Sequence, residues 1–102
     1  MNRGDVWLAQ VGRKRRPVLV LTRSEVLEVR SLVTVAEITT SRRGLAAEVT
    51  IDHELAGLDK ESAVNCDGLH TVPQSMLTKQ VGALGMKELE LVCSAVNYAL
   101  GC

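Results

Sequence analysis

Four consecutive cations follow the first apolar segment of the chain, and Arg16, the last of them, directly precedes Pro17 and another apolar run. Four positive charges on a tight turn repel one another, and a phosphate backbone would relieve that repulsion. A guanidinium held at the edge of a sheet can also grip a phosphate through two parallel hydrogen bonds. The residues therefore fit either phosphate binding or a solvated hairpin turn. The cluster consists of Arg13, Lys14, Arg15 and Arg16.

A second polar cluster combines three hydroxyl groups with two more cations. Thr39, Thr40 and Ser41 come directly before Arg42 and Arg43. Hydroxyl side chains after a strand most often cap a turn by hydrogen bonding to the backbone. Beside positive charge, the same hydroxyls can donate to a phosphate. Both interpretations remain open from the residues alone.

Asn65, Asp67 and His70 are the remaining polar residues of interest. Because side chains alternate along a strand, Asn65 and Asp67 would share one face and Cys66 would lie on the other. A half-buried strand without any function shows the same alternation, and a strand histidine is more often a surface residue than a catalyst. Three cysteines without Cys-x-x-Cys spacing and two histidines support neither a disulfide framework nor a zinc site. We expect no metal and no cofactor.

Length and charge narrow the class of protein. The chain has 102 residues, which fits a single domain over 1–102, and 46% of them are hydrophobic. Its net charge of zero argues against nucleic acid as a partner. Residues 1–50 nevertheless carry nine Arg or Lys against five Asp or Glu, so one face can be basic. No apolar run of membrane-spanning length and no signal-peptide segment is present, which predicts a cytoplasmic protein without membrane contact.

Hydrophobic periodicity predicts the elements that position these groups. Most of the chain reads as short β-branched or apolar runs, which are typical of strands. The first two strands form a hairpin with a cationic tip, a bulge is expected at Gly68, and Pro73 suits the start of a helical turn. The predicted strands cover residues 5–11, 17–21, 31–38, 47–51, 62–67, 69–72 and 81–84.

The strongest helix signal comes last, between Gly85 and Gly101. Several short antiparallel strands followed by one helix predict an α+β fold that is mainly β. The fold would be a small twisted antiparallel sheet or partial barrel, covered by an amphipathic C-terminal helix. The apolar positions of that helix are Leu89, Val92, Val96, Ala99 and Leu100.

Five features appear in one order along the chain. They are Arg3-Gly4-Asp5-Val6-Trp7, Arg16-Pro17-Val18-Leu19-Val20-Leu21, Ile38-Thr39-Thr40, Val64-Asn65-Cys66-Asp67 with Thr71-Val72 after it, and the terminal amphipathic helix. With these five features in this order, the chain resembles the MazF/PemK family of toxin endoribonucleases. The resemblance implies an SH3-like or CcdB-like sheet, a homodimer, and cleavage of single-stranded RNA at short sequence motifs without metal. It also implies inhibition by a cognate MazE-like antitoxin in a bacterial cytoplasm.

The resemblance assigns roles to individual residues. Arg16 corresponds to the arginine that acts at the scissile phosphate, and Thr39 corresponds to its partner hydroxyl. Asp67 corresponds to an acidic residue with a proton-transfer role in some members, a role that requires a buried environment here. Asn65 replaces an arginine of those members and can at most bind RNA. The implied RNA-binding residues are Arg13, Lys14, Arg15, Thr40, Ser41, Arg42, Arg43, Asn65 and His70.

Two alternatives to an RNA-cleaving toxin remain. A CcdB-like gyrase poison shares the expected fold, although that family lacks the arginine-proline and hydroxyl pair at these places. A non-catalytic RNA-binding module of the same shape would carry the same basic residues. Fold alone does not decide between them.

Overall fold

Six antiparallel strands form one sheet in the computed structural model, which describes residues 1–102. Their order across the sheet is β4-β5-β3-β2-β1-β6, and the C-terminal helix α2 packs mainly on β4 and β5. The expected mainly β fold with a C-terminal helix is confirmed. The strands are β1 (Asp5–Val11), β2 (Lys14–Val20), β3 (Leu32–Thr39), β4 (Glu48–Ile51), β5 (Ser62–Pro73) and β6 (Leu77–Ala83). The helices are α1 (Ser24–Leu27), a 3-10 helix (Gln74–Met76) and α2 (Met86–Leu100).

The turn of the first hairpin, between β1 and β2, is shorter than the run of four cations predicts. Val11 pairs with Lys14, so only Gly12 and Arg13 form the turn. Gly12 has a φ of +62°, and a two-residue hairpin turn favours glycine at such a position. The other three cations of the cluster therefore belong to strand β2 rather than to a flexible tip.

Strand β5 is continuous where two short strands were expected, and it carries a large bulge. Ala36 of β3 pairs with Leu69, whereas the next residue, Glu37, pairs with Asn65. Residues 66–68 are thus extra on β5 and have no partner on β3. The bulge predicted near Gly68 is confirmed, and the strand continues through it.

Of three further elements, one differs in extent from the expectation, one is confirmed and one was not predicted. Strand β6 begins at Leu77, four residues before the predicted strand over 81–84. The helical turn expected after Pro73 is the 3-10 helix. Helix α1 was not predicted, because four residues are too few to show a helical period.

The sheet buries apolar side chains on both faces, and one face packs against α2. That core includes Val6, Leu19, Ala36, Val64 and Val92. The other face forms a smaller core that includes Val18, Val20, Leu27, Val33 and Val35, with Trp7 and Met76 packed against it.

Helix α2 ends as expected at Gly101, which has a φ of +70°. Its buried residues include Val92, but the predicted core position Leu100 is 61% exposed. Neither α1 nor α2 is long and apolar enough to cross a membrane.

All three cysteines are free thiols. Cys66, in the bulge of β5, is fully buried. Burial raises the pKa of this thiol to about 11, so it stays protonated at neutral pH and acts as an apolar core residue.

The segment that follows β4 crosses to the opposite edge of the sheet and packs against β6. The Ala83 N–H donates to the Leu55 carbonyl at 3.5 Å. The two backbones approach closely at Gly57 and Gly82, where an added Cβ would overlap backbone atoms of the other segment. Glycine at both positions thus allows the sheet to curl toward a partial barrel.

Candidate active site

A cleft of about 890 Å³ opens where strands β2 and β3 cease to pair. Their last pair on this side is Val18 with Glu37. Continuing the same register by two residues places Arg16 opposite Thr39. Because opposite residues of an antiparallel pair project to the same side, both side chains face the opening, and both line the cleft.

The cleft brings together most, but not all, of the residues singled out from the sequence. The predicted residues that line it are Lys14, Arg15, Arg16, Thr39, Thr40, Ser41 and His70. Those that do not line it are Arg13, Arg42, Arg43, Asn65 and Asp67. Three cations and one carboxylate, that of Glu37, make the cleft positive overall.

Arg16 and Thr39 are available to a ligand. Arg16 is exposed, and its guanidinium belongs to none of the three ion pairs of the structure. The Thr39 Oγ1 accepts a hydrogen bond from the Ser41 N–H at 3.0 Å, which fixes the side chain and leaves its O–H free to donate. This hydroxyl can therefore cap the turn and also donate a hydrogen bond to a phosphate.

The two arginines of the loop between β3 and β4 do not line the cleft. Arg42 forms an ion pair with Glu61 at 2.8 Å. The Glu48 carboxylate accepts the backbone N–H of Arg43 at 2.9 Å and that of Leu45 at 3.2 Å. The Arg43 hydrogen bond is the largest cause of the lowered pKa of Glu48. This carboxylate anchors the loop that follows Thr39.

Asp67 lies on the bulge of β5 and is exposed. Its backbone N–H donates to the Asn65 Oδ1 at 3.1 Å, while Cys66 between them points into the core, as strand alternation predicts. The buried environment that a proton-transfer role for Asp67 requires is not present.

Glu37 is a cleft residue that the sequence analysis missed. Its Oε2 lies 3.0 Å from the His70 Nε2, across the boundary between β3 and β5. Gly68 makes room for this carboxylate, because a Cβ at that position would overlap the Oε2. A signal was present in the sequence: Glu37 stands two residues before Thr39, so both face the same side of β3.

Ser62 is a second missed residue of the cleft lining. It is buried, and its hydroxyl donates to the Lys60 carbonyl at 2.8 Å. The structure has no group of three or more His, Cys, Asp or Glu side chains arranged to hold a metal ion.

Residues 2–100 match the model of a protein family described as the PemK-like, MazF-like toxin of type II toxin–antitoxin systems. The chain belongs to this family. The match spans the sheet, the cleft and helix α2. It favours the first of the three functions left open by the sequence, an RNA-cleaving toxin.

Curated MazF relatives have similar lengths. The chain is 32% identical to the probable endoribonuclease MazF2 of Mycobacterium tuberculosis, over the full length of both proteins. It is 43% identical to the endoribonuclease MazF3 of the same species, over 84% of this chain and 82% of the relative. The chain is thus classed with the MazF-like endoribonuclease toxins of toxin–antitoxin systems.

Solved structures of MazF proteins share the fold. The M. tuberculosis toxin MazF-mt6 superposes with a TM-score of 0.88 at 39% identity, covering 95% of this chain and 96% of that one. A mycobacterial endoribonuclease in complex with its cognate antitoxin gives a TM-score of 0.90 over 99% of this chain and 95% of that one. At 23% identity the second comparison supports the fold alone.

Proposed function

We propose that this MazF-like chain is a sequence-specific, metal-independent endoribonuclease that cleaves single-stranded RNA in the cleft between β2 and β3. The observation that carries the proposal is the placement of Arg16 and Thr39 opposite each other, where β2 and β3 no longer pair, with Lys14 and Arg15 in the same cleft. These groups combine a fork of guanidinium donors, a fixed hydroxyl and additional positive charge, which together suit a phosphodiester.

The proposed reaction is an internal transfer of the phosphate. The ribose 2′-oxygen attacks the adjacent phosphorus, a 2′-O–P bond forms, and the bond to the 5′-oxygen breaks. The products are a 2′,3′-cyclic phosphate and a 5′-hydroxyl. Arg16 stabilises the negative charge that develops on the phosphate oxygens. Thr39 donates a hydrogen bond that orients the phosphate.

The cleft supports recognition of bases by hydrogen bonds rather than by stacking. The chain has one Trp and one Tyr and no Phe, whereas general single-strand binders stack bases on aromatic rings. The polar side chains beside the cleft, including Thr40 and Ser41, supply donors and acceptors for base edges. We propose that cleavage at a short motif inhibits translation and growth in the bacterial cytoplasm, as expected of a type II toxin.

End mapping on a long defined RNA, with and without EDTA, tests this function. We expect discrete cuts that persist in EDTA and leave 5′-hydroxyl ends, which a kinase can phosphorylate. Thr39→Ala should slow the cutting, whereas Thr50→Ala on strand β4, outside the cleft, should not. Cuts that require added metal or leave 5′-phosphates would contradict the proposed chemistry. RNA binding without any cut would favour the non-catalytic module.

We further propose a homodimer and a MazE-like antitoxin as partners. Helix α2 leaves Leu91 and Tyr98, which lie two turns apart on one face, more than half exposed, and neighbouring exposed apolar side chains are typical of an interface. The cationic cleft can bind an acidic, flexible segment that folds as it binds. Light scattering on the purified chain should give twice the 11.0 kDa mass of one chain; a monomer at micromolar concentration would contradict the dimer.

A further inference from the structure

His70 and Glu37 form the only pair of proton-exchanging side chains in the cleft. They are the only imidazole and the only carboxylate among its lining residues, and the cations that line the same cleft are Lys14, Arg15 and Arg16. The His70 Nε2 lies 3.0 Å from the Glu37 Oε2, and the two side chains are 54% and 52% exposed. The pair is therefore open to a ligand in the cleft.

The contact between Glu37 and His70 can orient the imidazole as a base. A carboxylate that holds one ring nitrogen of a histidine fixes the ring's orientation and tautomer. With Nε2 held by Glu37, Nδ1 is the nitrogen free to exchange a proton, and it has no hydrogen-bond partner within the protein. Imidazole is the side chain best suited to proton transfer near neutral pH.

We propose that His70 is the general base of the cleavage reaction and that Glu37 is the residue that positions it. This inference rests on the proposed function, because it names the group that removes the 2′-hydroxyl proton. It moves the proton-transfer role from Asp67, which is exposed on the bulge outside the cleft, to a residue inside it.

The His70 Nδ1 takes the proton of the 2′-hydroxyl as the 2′-O–P bond forms. The P–O bond to the 5′-oxygen breaks, and a solvent water gives that oxygen its proton. The protonated His70 then returns its proton to the resulting hydroxide, so no net proton is gained or lost.

Single-turnover cleavage rates between pH 5 and 9 test the assignment. The wild-type rate should rise with pH and then level off, since a histidine base is fully effective once it is neutral. We expect His70→Asn to lower the rate by about 100- to 10,000-fold and to remove the levelling-off, because hydroxide then replaces the base. Glu37→Gln should lower the rate by roughly 10-fold or more and keep the levelling-off, because His70 remains.

Two controls separate catalysis from binding and folding. His53→Asn changes the other histidine, which does not line the cleft, and should keep the wild-type profile. An RNA with a 2′-deoxy sugar at the cleavage site cannot react, and His70→Asn should bind it within about 3-fold of wild type.

Three results would overturn the assignment to His70. One is a His70→Asn rate within 3-fold of wild type, another is a pH profile that levels off in this variant as in wild type, and the third is a binding loss as large as the rate loss. If the wild-type chain cuts no RNA, the proposed function fails and this inference fails with it. If His70→Asn cuts like wild type, only this inference fails.

Discussion

Replacing Arg16 with alanine is expected to lower the rate of RNA cleavage by about 100- to 1,000-fold, the usual loss when one preorganised donor to a developing oxyanion is removed. The side chain is exposed and makes no ion pair within the protein. Its removal should therefore leave the fold intact and act on the reaction alone. Single-turnover rates on an RNA with one mapped cleavage site measure the effect.

Two variants show whether the fork or the charge of Arg16 matters. Arg16→Lys keeps the charge but loses the planar fork, so it should recover only part of the lost rate. Arg30→Ala removes an exposed arginine that does not line the cleft and should cut like wild type. Equal losses in Arg16→Ala and Arg30→Ala would show that overall charge, rather than the position of Arg16, determines cleavage.

Replacing Gly57 with alanine is expected to destabilise the fold by about 2–5 kcal/mol. Two effects add at this position. Its φ of +74° is unfavourable for a residue with a Cβ by about 1–2 kcal/mol, and the Cβ would overlap the backbone of Val81, which forces a displacement worth about 1–3 kcal/mol. Urea unfolding curves give the change in the free energy of unfolding.

Gly44 provides the matched control, since its φ of +69° is similar but nothing lies within 4 Å of an added Cβ. Gly44→Ala should lose only the backbone contribution of about 1–2 kcal/mol. The difference between the two variants then reports the close approach of residues 52–58 to β6. If both substitutions lower the free energy of unfolding equally, the close packing at Gly57 contributes nothing to stability.

The pairing of Arg16 with Thr39 in the candidate site was expected from the resemblance to the MazF/PemK family, whereas the residues alone left the role of each open. Arg16 precedes an apolar run and Thr39 ends another, so each is placed beside a predicted strand by its own neighbours, and in the structure Arg16 lies within β2. Their facing positions follow once β2 and β3 pair in register. Local sequence places each residue on its strand, because strand side chains have a fixed period of two, but it does not by itself pair the two residues.

The rest of the site depends on long-range pairing that local patterns do not encode. Alternation put Asn65 and Asp67 on one face, but it could not give the length of the bulge at 66–68, which leaves Asp67 exposed outside the cleft. The contact between Glu37 and His70 joins residues 33 positions apart and depends on the absence of a side chain at Gly68. Similarly, nothing before or after α1 predicts a four-residue helix, which is stabilised by burial of Leu27 in the second core.

The crossing of residues 52–58 onto β6 also affects how the molecule behaves toward other copies of itself. An open sheet presents two unpaired edges, and exposed edges are templates for aggregation. Here one edge strand, β4, has only four residues, and the other is covered near Gly82 by the crossing segment while its uncovered part carries Lys79. Short, charged and covered edges are the means by which natural sheets avoid edge-to-edge association. Both edges of the sheet are therefore poor templates for pairing with a further strand.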